Sequence, residues 1–154
     1  MSDKITGYNI GETHTTAQHE LGTIITNIKT TTYPVLRDYI YVLAAEAITA
    51  LNFVRGGKTV ALAYSAYHTT DVTDGVMGCA HIAIASGSYG WVVYRGVVAG
   101  ANVATASSAG LTLATTATDG RLAILVNTDT CATVVVALTD AAANAADVMI
   151  RGNS

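Results

Sequence analysis

The sequence predicts a mostly β protein, a single-domain β-sandwich or small β-barrel carrying an extended N-terminal arm. Three observations predict it. Threonine runs such as THTT (13–16), TTTY (30–33) and ATTATDG (114–120) supply polarity on branched β carbons that suit a pleated sheet. Short apolar runs with period-two alternation recur beyond residue 55, with turn residues about every ten positions and no sustained 3.6-residue pattern. The chain has 154 residues, 51% hydrophobic but only 12% charged, so one core and a surface that is polar without being charged are expected.

The elements follow in order. Residues 1–32 are polar and weakly periodic, with LGTIITNI (21–28) their one apolar stretch, which leaves open a strand added to a neighbour or to the chain's own core, and they are expected to form an extended arm that borrows its order from a packed surface, which could belong to another subunit. The β-rich domain then occupies 33–154. DYIYVL (38–43) places Tyr39, Tyr41 and Leu43 on one face and Ile40 and Val42 on the other, the pattern of a strand. AAEAITALNFV leaves a helix over about 39–53 open, because Ile40, Leu43, Ala47, Ile48 and Leu51 also fit a helical stripe. TVALAYSAY (59–67) and VMGCAHIAIA (76–85) are expected strands, HTTDVTDG (68–75) a turn-rich loop, and GSYGWVVYRG the second arm of a hairpin with 76–85. GLTLAT, GRLAILV, TCATVVVAL (130–138) and ADVMIRG (146–152) complete the strands, and TDAAANAA forms a turn or one short helix between the last two. AITALNFV (47–54) also echoes VVAGANVA (97–104), which favours a turn into a strand over a helix in the first copy.

Charge and cysteine usage exclude several functions. A net charge of −3 without a basic cluster argues against nucleic-acid binding. The N terminus has no signal-peptide core, and no stretch reaches the 18 to 20 apolar residues of a membrane span, so no membrane association is expected. Weak surface charge gives little repulsion between copies and favours assembly. Cys79 and Cys131 match no paired metal or redox spacing; two buried thiols is the simpler reading, and a disulfide between them stays open.

The chemistry-bearing residues do not compose a catalytic or metal site, and no cofactor is expected. In HTTAQHE the histidines His14 and His19 are five apart and Glu20 follows both, unlike the zinc-protease signature. Cys79 and His81 would stand about 6–7 Å apart as i and i+2 neighbours on a strand, too far for a nucleophile and its base. Asp71, Asp74, Asp119 and Asp129 sit beside Thr or Gly, where short carboxylates cap turns. GSYG enters a strand where a phosphate loop would open a helix, and no G-x-S-x-G elbow occurs.

SYGWVVYRG (88–96) holds the one tryptophan. On an extended strand Tyr89, Trp91, Val93 and Arg95 share a face opposite Gly90, Val92 and Tyr94. Tyr89, Trp91 and Tyr94, with Tyr39 and Tyr41 as a second aromatic strip, are the expected packing or interface anchors. Gly90 leaves room for a ring or a backbone to approach closely.

The stretch from Val76 to Val126 resembles the head decoration, or capsid cement, proteins of tailed bacteriophages. Tyr89, Gly90, Trp91, Val92 and Gly96 match a YGWV motif and its following glycine. Ala99 and Gly100 match an apolar Ala-Gly step, and Gly110 and Gly120 match glycine-led strands. The resemblance covers about residues 36–138. It implies β-rich subunits, commonly trimeric, bound to the major capsid protein on the outside of the head, assembled in the host cytoplasm and reinforcing the shell without an active site. On this view residues 1–32 reach across to a capsid protein or a neighbouring subunit, and deleting residues 1–20 leaves the core folded and weakens capsid attachment. The alternative is a carbohydrate-binding or adhesin-like module of a tail or fibre, with tyrosines stacking on sugars. An enzyme ranks third and would need His81 to meet a carboxylate such as Asp71 or Asp74 in a pocket.

Overall fold

A computed structural model describes residues 4–5, 8–29, 35–71, 73–125 and 134–151. Among them are twelve strands and one 3-10 turn, with no α-helix. The strands are β1 (Lys4–Ile5), β2 (Tyr8–Asn9), β3 (Ile24–Lys29), β4 (Val35–Ala44), β5 (Phe53–Arg55), β6 (Ser65–His68), β7 (Gly78–Ala80), β8 (Tyr89–Asn102), β9 (Thr112–Thr115), β10 (Leu122–Ile124), β11 (Val135–Ala137) and β12 (Ala145–Ile150). The mostly β, single-domain expectation holds.

Five of these strands close a ring. β4 pairs with β6, β6 with β5, β5 with β7, β7 with β8, and β8 returns to β4. Ile40, Val42, Ala44, Val54, Ala66, Ala80 and Val92, drawn from all five strands, pack into one cluster with Ile48 and Ile84. So narrow a ring has little interior volume, which is why three of its strand positions are alanine. Gly90 belongs to this face: a Cβ there would stand 3.0 Å from the Ile84 side chain and 3.4 Å from the Thr13 methyl.

β8 belongs to two sheets. Its first half pairs with β4 from Tyr89 to Arg95, and its second half pairs with β12 from Gly96 to Asn102. A bulge opposite Asp38 and Tyr39 takes up Tyr94 as an extra residue, and Gly96 follows with φ of 114°. The second sheet runs β8-β12-β11-β9-β10. Its inner face, with Val98, Leu113, Leu122, Val135, Val148 and Ile150, packs against Tyr39, Tyr41, Phe53, Trp91 and Val93. β12 shows the alternation plainly, with Ala146, Val148 and Ile150 buried and the residues between them half-buried. β9 and β10 are each led by a positive-φ glycine, Gly110 and Gly120.

Several local expectations are corrected. The helix left open over residues 39–53 does not form, and the strand over 38–43 and the turn into a strand over 47–54 do: β4 ends at Ala44 and the chain turns through Leu51, at φ of 67°, into β5. Ile40 and Tyr41 are buried on opposite faces of a strand, which a single helical stripe cannot achieve. The expected strand over 59–67 is cut to Ser65–His68, because Val60–Leu62 closes a 3-10 turn through Leu62 N–H donating to Thr59 O and Gly57 N–H donating to Leu62 O. The expected strand over 76–85 is Gly78–Ala80 with one isolated bridge at Ile84. It does pair antiparallel with β8. The two asparagines of the internal echo meet, Asn102 Nδ2 donating to Asn52 Oδ1 at 2.9 Å.

Residues 8–29, expected to extend as an arm, lie against the chain's own sheet. β3 pairs with β4 over six positions, His14 exchanges backbone hydrogen bonds with Tyr89, and Ile10 is buried. The polar composition hid four residues, Tyr8, Ile10, His19 and Leu21, that supply enough apolar and ring surface to dock in cis.

Candidate functional site

Three of the five predicted aromatic anchors, Tyr41, Tyr89 and Trp91, form one nest. Trp91 is 1% exposed, and its ring centroid lies 4.9 Å from Tyr41, 5.4 Å from His19 and 5.7 Å from Tyr8, the last edge-on. Tyr41 stacks on Tyr89 at 6.1 Å, and its hydroxyl accepts the Gln18 N–H. Edge-on and tilted arrangements of this kind suit the ring quadrupoles. Tyr39 is buried against His81, with ring centroids 5.3 Å apart. Trp91, Tyr41 and Tyr39 are therefore core residues. Tyr94, displaced by the bulge, turns instead to a groove at one end of the ring.

Most of the polar residues singled out in the sequence are engaged in structure. Asp74, 5% exposed, has Oδ2 3.3 Å from Arg55 Nε and accepts the Thr70 and Asp71 N–H groups, so it closes the loop after β6. Arg55 also sits over the Tyr67 ring at 4.8 Å. Glu46 Oε1 accepts the His68 N–H and lies 3.2 Å from His68 Nδ1. His14 and His19 are used by the backbone pairing and the aromatic nest, and no group of three or more potential metal ligands occurs among the described residues.

Cys79 is fully buried between β5 and β8, and burial pushes its thiol well above the ordinary range. A thiol with so little thiolate is a poor nucleophile. In a Cys131→Ser background, native protein should resist iodoacetamide and gain one adduct only when denatured. Rapid labelling of native Cys79 would contradict this burial. Cys131 itself, and so its pairing, lies outside the described residues.

Two apolar surfaces remain open. The first is the groove, about 340 Å³, walled by Ile24, Ile40, Tyr64, Val76, Met77 and Tyr94 with glycine backbone between them. Beside it the 3-10 turn holds up Val60, 97% exposed, and Leu62. The second is the outer face of the second sheet, where Val97, Met149, Val136 and Thr112 are cross-strand neighbours in one row. Val134 and Leu138 extend it, both more than a third exposed. Sequence inspection missed both surfaces. VVVAL offered a signal, because three valines in succession put apolar side chains on both faces of β11.

Comparison with family models, curated proteins and solved structures gives no match for the chain. No helix among the described residues is long and apolar enough to cross a membrane.

Proposed function

We propose that the chain is a non-enzymatic structural protein of a tailed-phage virion, which binds the outer surface of the head and stabilises it. The observation that carries this reading is the outer face of the second sheet. An antiparallel sheet that faces water on one side normally alternates apolar-in and polar-out. Here the row Val97, Met149, Val136 and Thr112 has the composition of a covered face. The resemblance of the YGWV stretch to head decoration proteins supplies the partner, the major capsid protein, and favours a homotrimer. Attachment is assigned to this face and not to an N-terminal clamp, because residues 8–29 dock on their own subunit.

Repetition over a lattice turns modest single contacts into strong attachment. Contacts made by valine, methionine and threonine depend weakly on salt, since few charges are screened. Val136→Lys should leave the thermal midpoint within a few degrees, because its side chain is only partly covered, and should abolish either self-association or co-sedimentation with undecorated heads. Normal assembly and normal attachment of this variant would contradict the assignment.

The alternative, a carbohydrate-binding module of a tail or fibre, is favoured by one feature: Tyr64 and Tyr94 both line the groove. It ranks second because, among the described residues, that lining holds no Asp, Glu, Asn, Gln, Arg or His to bind sugar hydroxyls in fixed directions. Buried Trp91 is out of reach of a glycan, so tyrosine fluorescence in a Trp91→Phe variant is the proper readout. Saturable quenching by a glycan array hit, lost in Tyr64→Ala, would establish this reading in place of the first.

A further inference from the structure

We infer that the crevice around Arg37, where β8 passes from one sheet to the other, binds a single carboxylate carried on a small apolar body. The crevice has a volume of about 280 Å³ and is lined by Arg37, Tyr39, Leu51, His81, Ile82 and Val98, with Val93 and Ala99 completing it. Among the described residues, no aspartate or glutamate lines it. Arg37 takes part in none of the ion pairs among the described residues, and its Nε is buried without a hydrogen-bond partner. Its sequence neighbour Asp38 faces Arg95 and accepts the Thr26 hydroxyl. A guanidinium donor held out of water without an acceptor is costly, so the arrangement favours an anion that restores the missing bond.

The glycine kink makes room for this. A Cβ at Gly96 would lie 3.0 Å from Arg37 Cγ, so the bare backbone of β8 passes directly over the arginine stem. A planar guanidinium matches a carboxylate through two parallel hydrogen bonds. Leu51, Ile82 and Val98 offer apolar walls to the rest of the ligand, and a single fixed cation suits a monoanion better than a phosphate dianion. The volume sits near the lower end of the roughly 300–1,000 Å³ typical of small-molecule sites, which limits the ligand to a short-chain acid or one acidic side chain. Both sources share this chemistry: a free organic acid, or a Glu side chain on a bound protein partner.

The test uses the full chain. His81 resonances and the thermal midpoint are followed during titration with sodium isobutyrate, sodium phosphate and sodium chloride at equal ionic strength, and with an acetylated, amidated Val-Glu-Val peptide. The expected result is a saturable His81 shift with isobutyrate or the peptide, at least tenfold weaker in Arg37→Gln and partly restored in Arg37→Lys. Preference for the peptide assigns the site to a protein partner, and preference for isobutyrate assigns it to a free acid. No saturable shift, an equal response in Arg37→Gln, or phosphate matching isobutyrate overturns the proposal. Co-sedimentation with heads is read separately on the same variants, so failure of the carboxylate site and failure of the virion role are told apart.

Discussion

Trp91→Ala is expected to lower the stability of the protein by about 3–5 kcal/mol, the range for deleting a large aromatic side chain from a packed core. Trp91 is 1% exposed and touches three other rings. Two of these, Tyr8 and His19, come from the segment before β3, so the indole also anchors that segment to the sheet. Truncation removes the transfer energy of the ring and leaves a cavity that three separate elements would have to close together. Urea denaturation followed by far-ultraviolet circular dichroism measures the loss. Trp91→Phe should cost clearly less, because it keeps a ring against Tyr41. A loss below about 1 kcal/mol for the alanine variant would mean that the nest is not packed as described. Deletion of residues 1–20 should destabilise through the same site, by uncovering Trp91 and Tyr41 and removing Ile10.

Gly96→Ala is the second large effect, expected to cost about 3 kcal/mol or more and to reduce soluble yield. With φ at 114°, Gly96 holds a backbone conformation that side chains with a Cβ rarely adopt, and that Cβ would lie 2.6 Å from the Leu36 carbonyl oxygen. Relief would need β4 and β8 to separate at the point where β8 leaves one sheet for the other. Gly87→Ala is the control. Gly87 also has positive φ, 75°, but open space around it, so only the local penalty of about 1–2 kcal/mol applies. Equal stabilities for the two variants would show that the crossing at Gly96 is not constrained.

The β character was legible because it rests on local signals. Alternation in ADVMIRG, glycines before GLTLAT and GRLAILV, and the hairpin of 76–85 with SYGWVV each survive in β12, β9, β10 and the β7–β8 pair. A small barrel was one of two architectures the sequence left open, but which strands close the ring was not legible, because closure depends on a two-residue parallel pairing of Leu43 and Ala44 with Ser65 and Ala66 that no turn signal announces. The first part of the expected strand over 59–67 failed for a related reason, while its end survives in β6. Val60 and Leu62 alternate as a strand would, but the glycines before them let the chain fold back and hold Val60 in solvent. In the N-terminal segment, composition masked a few well-placed side chains. Among the candidate anchors, Trp91, Tyr41 and Tyr39 could be picked from sequence as large aromatic residues for a core or an interface, while the meeting of Trp91 with Tyr8 and His19 could not. Arg37 gave no signal, since an arginine on a strand is ordinarily a solvated edge residue, and the crevice around it forms only when Leu51, His81, Ile82 and Val98 meet from distant parts of the chain.

Co-sedimentation with undecorated tailed-phage heads, with mass in solution measured by light scattering, tests the central claim most directly. The account predicts a stable oligomer, a trimer on the family resemblance, that pellets with heads at low and high salt and fails to do so once the outer face of the second sheet carries Val136→Lys. A monomer that stays in the supernatant at every salt concentration would contradict it.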